Sequence, residues 1–107
     1  MTRRGFAYYA EPYKSYKAEL KTWLEDNYKG EKITVPITIK ATFVAEQPKS
    51  TKLPFPKPDV DNYAKALLDA MNDVVMEDDW LVLEGTFRKE WAPKGKPGYI
   101  KVEVELV

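Results

Sequence analysis

The 107-residue chain is long enough for one domain around a single core, and its composition, 44% hydrophobic and 13% aromatic, is that of a globular protein. It contains no cysteine and no histidine, which excludes zinc sites, thiol nucleophiles and histidine general bases. No apolar run approaches the roughly 20 residues that span a bilayer, and the N-terminus shows no signal-peptide pattern, so we expect a cytoplasmic protein. Any catalysis must use carboxylates, lysine or a bound metal.

The 17 basic and 17 acidic side chains balance, but they are unevenly distributed along the chain. Residues 1–58 hold 11 Lys and Arg against 6 Asp and Glu, residues 59–79 hold 1 against 7, and residues 80–107 hold 5 against 4. A metal-dependent enzyme acting on a polyanion would need such an arrangement, because basic regions attract phosphate and acidic regions hold cations. An arbitrary division of a neutral surface gives similar counts, so charge counts alone do not distinguish a metal-dependent enzyme from a protein with an ordinary neutral surface.

The first half of the chain predicts a helix, a strand and a loop. Aromatic and leucine side chains recur at helical spacing from about Pro12 to Tyr28. Apolar and polar residues then alternate from Ile33 to Phe43, which is typical of a strand with one buried face. Pro36 places the first part of this strand at an edge or a bulge, because proline cannot donate to a ladder. The stretch "QPKSTKLPFPKP" predicts a stiff basic loop with no element of its own.

The second half predicts a helix followed by two strands. The helix runs from Val60 to about Val75, with Asp59 suited to its N-cap. A strand follows from about Trp80 to Trp91, and "PKGKPG" turns the chain into a last strand, "YIKVEVELV". The order is helix, strand or hairpin, helix, strand, strand. We therefore predict one α+β domain over the whole chain, with two helices packed on a small mixed β-sheet.

Seven of the 17 acidic side chains lie within "DVDNYAKALLDAMNDVVMEDD", around the second predicted helix. Like charges held close together raise one another's pKa values unless a cation lies among them, so these acids are either spread over solvent or arranged around metal. Structural explanations exist for each feature. A helix N-terminus stabilises Asp59 and Asp61 by about 0.3–1 kcal/mol each. Acidic residues such as Asp78 and Asp79 are common in turns.

An EF-hand calcium loop does not explain the acidic segment. In "DVDNYAKALLDA", Ala64 stands where the loop needs glycine and Ala70 where it needs a bidentate glutamate. A hard-cation site made of three or four carboxylates remains. Mg²⁺ or Mn²⁺ suits such a site, because these ions prefer oxygen ligands and keep bound waters as potential nucleophiles.

The order of these residues resembles the RusA family of Holliday junction endonucleases, which occurs in bacteria and their prophages. The family pattern of D-x-D-N-x-x-K-x-x-x-D-A, then D-D, then a strand lysine is present here as "DVDNYAKALLDAM", "EDDW" and "FRKEW". The resemblance is strongest from Lys57 to Trp91 and weaker over the first helix. It implies the following site residues by position: catalytic Asp59, Asp61, Asp79 and Lys65, metal-binding Asp59, Asp61, Asp78 and Asp79, and the strand lysine Lys89.

The function that this resemblance implies is Mg²⁺-dependent hydrolysis of four-way DNA junctions during recombination and repair, with Mn²⁺ as a possible substitute. Symmetric cleavage of a junction implies a homodimer, because it needs two sites related by a two-fold axis. Phosphate contacts are expected from the basic residues Arg3, Arg4, Lys49, Lys52, Lys57 and Lys89. Each of these basic side chains is equally well explained as part of a surface that contacts only solvent. Tyr8 and Tyr9 are candidates for stacking on bases, whereas Tyr13 and Tyr16 are expected in the core.

Two features depart from the family. Its members usually begin with an additional strand and a proline-rich segment before the "RR" region, so we expect this chain to lack the family's first strand, through a late gene start or a shortened chain. Junction-binding members also tend to be basic, whereas this chain is neutral. The alternative function is therefore a non-catalytic DNA-binding remnant of the family. A metal-binding domain without a nucleic-acid role is the third hypothesis.

Overall fold

The computed structural model describes residues 3–9, 12, 16–50, 52–56 and 59–107, with the backbone alone at residue 3. Its elements, in chain order, are strand β1 (Arg3–Tyr8), helix α1 (Tyr16–Asn27), strand β2 (Ile37–Ala45), helix α2 (Val60–Met71), a short 3₁₀ helix (Asp79–Leu81), strand β3 (Val82–Trp91) and strand β4 (Tyr99–Leu106). The predicted α+β class, with two helices and a small mixed sheet, is confirmed.

The four strands form one sheet in the order β1-β4-β2-β3. The β1–β4 and β4–β2 pairs are antiparallel, whereas β2 and β3 run parallel. Alternate residues of the two central strands are buried in the core beneath the helices, and these are Ile37, Ile39, Ala41, Phe43, Ile100, Val102 and Val104. The other face of the sheet is largely polar.

Helix α2 is fixed firmly on this core. Its buried residues recur at helical spacing and are Tyr63, Leu67, Ala70 and Met71. Tyr63 stacks on Phe43 of β2 with ring centroids 5.1 Å apart. The Tyr16 hydroxyl of α1 donates to the Tyr63 carbonyl at 2.5 Å, and burial raises the pKa of this tyrosine. The prediction that Tyr16 is a core residue is confirmed.

Strand β1 is an element that the sequence did not reveal. Its six residues, "RRGFAY", carry little alternation, and the strand forms by pairing with β4, a partner almost 100 residues away in the chain. Gly5 allows this close pairing, since a Cβ atom at this position would lie 2.8 Å from the Val102 carbonyl oxygen. Pairing with a distant strand leaves no local sequence signal.

Several predicted boundaries also differ from the structure. Helix α1 begins at Tyr16, with Pro12 outside it and residues 13–15 outside the described part of the chain. Strand β2 begins at Ile37 rather than Ile33, and it is a single strand rather than a hairpin. Helix α2 ends at Met71 rather than Val75, because Asn72 has an extended ψ of 133° and Asp73 a positive φ of 63°. No helix in the described residues is long and apolar enough to cross a membrane.

Candidate active site

The N-terminal end of α2 carries the first pair of predicted site residues. Asp59 occupies the N-cap position, as predicted, and its carbonyl accepts the Asn62 and Tyr63 N–H groups at 3.1 and 3.4 Å. Its carboxylate makes no capping hydrogen bond and is exposed. Asp61 follows in the first turn and is also exposed. Neither carboxylate pairs with another side chain of the described residues, so both are available to a ligand.

The middle of α2 carries Lys65, one turn after Asp61 and one turn before Asp69. The Lys65 side chain is exposed. Asp69 forms an ion pair with Lys17 of α1 at 3.7 Å. No ion pair of Lys65 occurs among the described residues, so Asp61 and Lys65 do not pair at salt-bridge distance although they lie one turn apart.

The second acidic pair, Asp78 and Asp79, is held near the C-terminal end of α2. Beyond the helix the chain turns tightly, and two backbone hydrogen bonds with Ile33 hold this turn in place. The Ile33 N–H donates to the Val75 carbonyl at 2.9 Å, and the Ile33 carbonyl accepts the Glu77 N–H at 2.8 Å. The Asp78 carboxylate then accepts the Asp79 N–H at 2.7 Å and starts the 3₁₀ helix.

The electrostatics of this pair are those of crowded acids. The pKa of Asp79 is raised, chiefly because its carboxyl group shares a hydrogen bond with the carboxyl group of Asp78, and also through partial burial and the Asp78 charge. A hydrogen bond from the Asn72 side chain opposes this rise, and the charge of Asp69 adds to it. The Asn72 Oδ1 atom is buried and has no hydrogen-bond partner among the described residues. Sequence analysis missed Asn72, whose only signal is its position directly after the helical part of the family pattern.

Helix α2 separates the two acidic pairs. Its 12 residues rise about 1.5 Å each, which places its ends about 18 Å apart. Oxygen ligands lie roughly 2.0–2.1 Å from Mg²⁺, so two ligands of one ion lie at most about 4 Å apart. All four predicted metal ligands are described, yet no three acidic side chains of the described residues group around a possible metal position. Each pair has donors that fit Mg²⁺, which commonly takes one or two carboxylates and completes its shell with water, but one protomer does not assemble all four.

The strand lysine Lys89 lies towards the N-terminal end of α2. Lys89 pairs in register with Phe43, on the helix-covered side of the sheet, and its Nζ lies 5.1 Å from the centroid of the Phe55 ring. The Trp91 Nε1–H donates to the Leu53 carbonyl at 2.8 Å. The loop that leads into Asp59 is thereby held against the end of β3, which brings a lysine to the side of the first acidic pair.

The remaining predicted DNA contacts differ in their surroundings. Lys49 and Lys52 are exposed, whereas Lys57 and the Arg3 side chain lie outside the described residues, as does Tyr13. The Arg4 Nη1 donates to the Tyr28 hydroxyl at 2.6 Å and to the Glu31 carbonyl at 2.9 Å. Arg4 thus joins β1 to the end of α1, and its contact with DNA stays a prediction. Of the two stacking candidates, Tyr8 is buried and Tyr9 is exposed.

A cleft of about 360 Å³ lies away from these acids, on the open face of the sheet. Its lining residues are Thr38, Ile39, Lys40, Glu84, Thr86, Glu103 and Glu105. Three of these side chains are acidic and one is basic, so the cleft is not suited to a DNA phosphate. The acidic side chains that the sequence predicts as metal ligands lie at the two ends of α2 and do not line this cleft.

Comparison with known proteins adds one match. A family model described as endodeoxyribonuclease RusA matches residues 1–105, almost the whole chain. The matched region includes both ends of α2, the turn that follows it and all four strands except the last residue of β4. No curated protein matches the chain.

Proposed function

Because the chain belongs to the RusA family of endodeoxyribonucleases, which act on branched DNA junctions, we propose that it resolves four-way junctions by Mg²⁺-dependent phosphodiester hydrolysis in recombination and repair. Mn²⁺ is expected to replace Mg²⁺, because both prefer oxygen ligands. The cytoplasm of a bacterium, or of a bacterium that carries a phage, is the proposed location.

The observation that carries this proposal is the presence of two pairs of carboxylates at the ends of α2, of which Asp59, Asp61 and Asp78 are exposed. Asp59 occupies the N-cap position of α2, but its carboxylate makes no capping hydrogen bond. Asp79 lies against Asp78, and two carboxylates this close repel each other unless a cation lies nearby. When bound, Mg²⁺ would polarise the scissile phosphate and lower the pKa of a bound water. The ligands proposed for it are Asp59, Asp61, Asp78 and Asp79.

The cations of the chain have separate proposed roles. Lys65 stabilises the charge that develops on the phosphate in the transition state. Lys89 and the basic loop residues Lys49, Lys52 and Lys57 hold the DNA backbone, with Arg3 and Arg4 as further contacts. Phosphate contacts fix the position of the DNA without reading its sequence. A homodimer supplies the two symmetric sites that paired cuts require.

The test uses a labelled four-way junction and a linear duplex of matching sequence, each incubated with the protein and Mg²⁺. Paired nicks in the junction alone are expected. Asp59→Asn should abolish them while leaving junction binding intact, whereas Asp26→Asn, which removes an exposed acid from α1, should cleave normally. Nicking of both substrates alike would contradict junction selectivity.

The same experiment addresses the two other hypotheses. The separation of the acidic pairs within one protomer favours the non-catalytic DNA-binding remnant, which would bind the junction without nicking it at any metal concentration. A metal-binding domain without a nucleic-acid role would bind neither substrate.

A further inference from the structure

We propose that Phe55 stacks on a DNA base whose own stacking is interrupted at the branch point of a four-way junction, and that this contact makes the protein prefer a junction to a duplex. The inference rests on the proposed function and concerns how the substrate is recognised, not how it is cut. Three observations lead to it: the exposure of the Phe55 ring, the contacts that hold its loop, and the lysines at the same end of the sheet.

The Phe55 ring is an aromatic surface that the fold leaves open to solvent. Phe55 is 51% exposed, and Leu53, two positions earlier, is 47% exposed. Neither side chain belongs to the hydrophobic core of the described residues. A single exposed apolar side chain is ordinary on a protein surface, so exposure alone assigns no role to the ring. The surroundings of the ring therefore have to identify its partner.

The loop that carries Phe55 holds the ring in a fixed position. The Trp91 Nε1–H donates to the Leu53 carbonyl at 2.8 Å, and the Lys89 Nζ lies over the Phe55 ring, 5.1 Å from its centroid. A proline stands on either side of Phe55, and each restricts its own backbone φ to about −65°. A side chain that is held before its partner binds loses little conformational entropy on binding. The exposed ring is therefore pre-organised for a partner.

Lysines gather at the same end of the sheet as the ring. Trp91 pairs with Ala45 and Tyr99 pairs with Val44, so the loop after β2 and the connection between β3 and β4 leave the sheet at one end. The exposed lysines of these two segments are Lys49, Lys52, Lys94 and Lys96. Clustered basic side chains together with an exposed aromatic ring are the features of a surface that follows a nucleic-acid backbone and stacks its bases.

The opposite end of the sheet carries acids. Glu84 and Glu105 both pair with Thr38, near the start of β2. Asp78 and Asp79 directly precede β3 at that end. A polyanion is attracted to the lysine end and repelled by the acidic end. The charge distribution thus favours DNA as the partner of the exposed Phe55 ring.

The ring also lies close to the first acidic pair along the chain. Asp59 follows Phe55 by four positions, so their Cα atoms lie at most about 13–14 Å apart. Successive nucleotides of one strand advance about 3.4 Å along a DNA helix. A base on Phe55 therefore lies within about four nucleotides of a phosphate held at Asp59, which places the ring at the branch point when the cut is made close to it.

Stacking on Phe55 favours a branched substrate over a duplex. In an intact duplex each base is stacked between its neighbours, and separating them costs free energy before a ring can insert. At an open branch point each strand passes from one helix to another, so this stacking is already interrupted. One base–aromatic stack then adds to the affinity for the junction, whereas lysines contact the phosphates of both substrates alike.

The test measures binding in EDTA, where metal-dependent cleavage does not occur. Fluorescence anisotropy follows a labelled four-way junction and a linear duplex of matching sequence. Phe55→Ala should bind the junction about 5–150-fold more weakly, which is the loss of one base–aromatic stack, and should bind the duplex as the unmodified protein does. Phe55→Leu keeps an apolar side chain without a ring and should show most of this loss, whereas Phe55→Trp should retain the preference for the junction.

Two control variants separate stacking from other effects. Leu83→Ala removes an exposed apolar side chain at the opposite end of the sheet and should bind both substrates as the unmodified protein does. Lys52→Met should weaken both substrates alike and reduce the slope of log K against log salt concentration by about 0.9, because it removes a phosphate contact. Phe55→Ala should leave this slope unchanged. Circular dichroism verifies the fold of each variant.

Abasic sites in the junction identify the base that contacts the ring. They are placed one at a time within about four nucleotides of the branch point, the reach worked out above. At one position the abasic site should weaken binding by the unmodified protein but not by Phe55→Ala, because that variant has already lost the contact. Losses that add to that of Phe55→Ala at every position would show that the ring contacts no base.

The same variants test whether a second copy of the chain covers the ring instead of DNA. Sedimentation in EDTA should give Phe55→Ala and the unmodified protein the same molar mass. Leu53→Ala removes a neighbouring apolar side chain that has no ring, and it should lose little junction affinity. A changed oligomeric state of Phe55→Ala, or an equal loss of junction affinity in Leu53→Ala, refutes the stacking contact.

The outcomes separate this inference from the proposed function. A protein that prefers the junction through Phe55 but never nicks it with Mg²⁺ supports this inference and refutes the proposed function. A protein that cleaves the junction, and whose Phe55→Ala variant keeps the full preference for junction over duplex, refutes this inference alone. Equal binding of the junction and the duplex by the unmodified protein refutes it as well.

Discussion

Replacing Lys65 by methionine separates a catalytic role of this lysine from a structural one. Lys65 is exposed on α2 and forms no ion pair among the described residues, although Asp61 and Asp69 lie one turn away on either side. Exposed pairs at this spacing contribute about 0.3–0.5 kcal/mol each. Lys65→Met should therefore lower the free energy of unfolding by less than about 1 kcal/mol in EDTA. Losing one positioned charge in the transition state should instead slow cleavage by about 10²–10³-fold, or roughly 2.7–4 kcal/mol.

The assay is single-turnover cleavage of a labelled junction at saturating Mg²⁺, with urea unfolding in EDTA measured on the same protein. Lys17→Met is the matched control, since it removes a lysine that pairs with Asp69 from the neighbouring helix. It should cleave at nearly the unmodified rate. Lys65→Arg keeps the charge but shifts its position, and it should restore only part of the rate.

A structural role of Lys65 predicts the opposite pattern. If this lysine only balances the acids of α2, Lys65→Met loses stability without metal, and added Mg²⁺ restores both stability and most of the activity. Cleavage by Lys65→Met within a few-fold of the unmodified rate at saturating Mg²⁺ would refute the catalytic assignment.

Three further predictions concern stability without metal. Because Asp78 raises the pKa of Asp79, the folded protein binds the Asp79 carboxyl proton more tightly than the unfolded chain does, and it loses stability as the pH rises through the raised pKa. The melting temperature of Asp79→Asn should therefore exceed that of the unmodified protein at pH 7 but not near pH 3. An equal difference at both pH values would contradict this reasoning. Asp73 has a φ of 63°, so urea unfolding should show Asp73→Ala to be less stable than Asp73→Gly, with equal stability as the contrary result. Gly5→Ala places a Cβ atom 2.8 Å from the Val102 carbonyl oxygen and should cost about 1–3 kcal/mol, which a melting temperature unchanged from that of the unmodified protein would disprove.

Local patterns in the sequence were sufficient for the fold class, and they also supplied the candidate site residues. The apolar period of α2 and the alternation along β4 are set by burial against one core, so both elements could be predicted from the residues themselves. The acidic pairs are adjacent or nearly adjacent in the chain, so each pair is a local feature too. Strand β1 could not be predicted, because its hydrogen bonds depend on a partner at the other end of the chain. The hydrogen bonds of Arg4 with Tyr28 and Glu31, which follow α1, depend on the same long-range pairing.

The relative position of the two acidic pairs was decided by tertiary structure alone. Asp79 lies seven positions after Asn72, and an extended chain of that length spans up to about 23–25 Å. This length would allow Asp79 to return along α2 to the side of Asp59, or to remain at the far end of the helix. The hydrogen bonds of Ile33 with Val75 and Glu77 hold the turn at the far end. Both paths of this segment agree with the same local sequence pattern, because the residue that selects between them lies about 40 positions earlier in the chain.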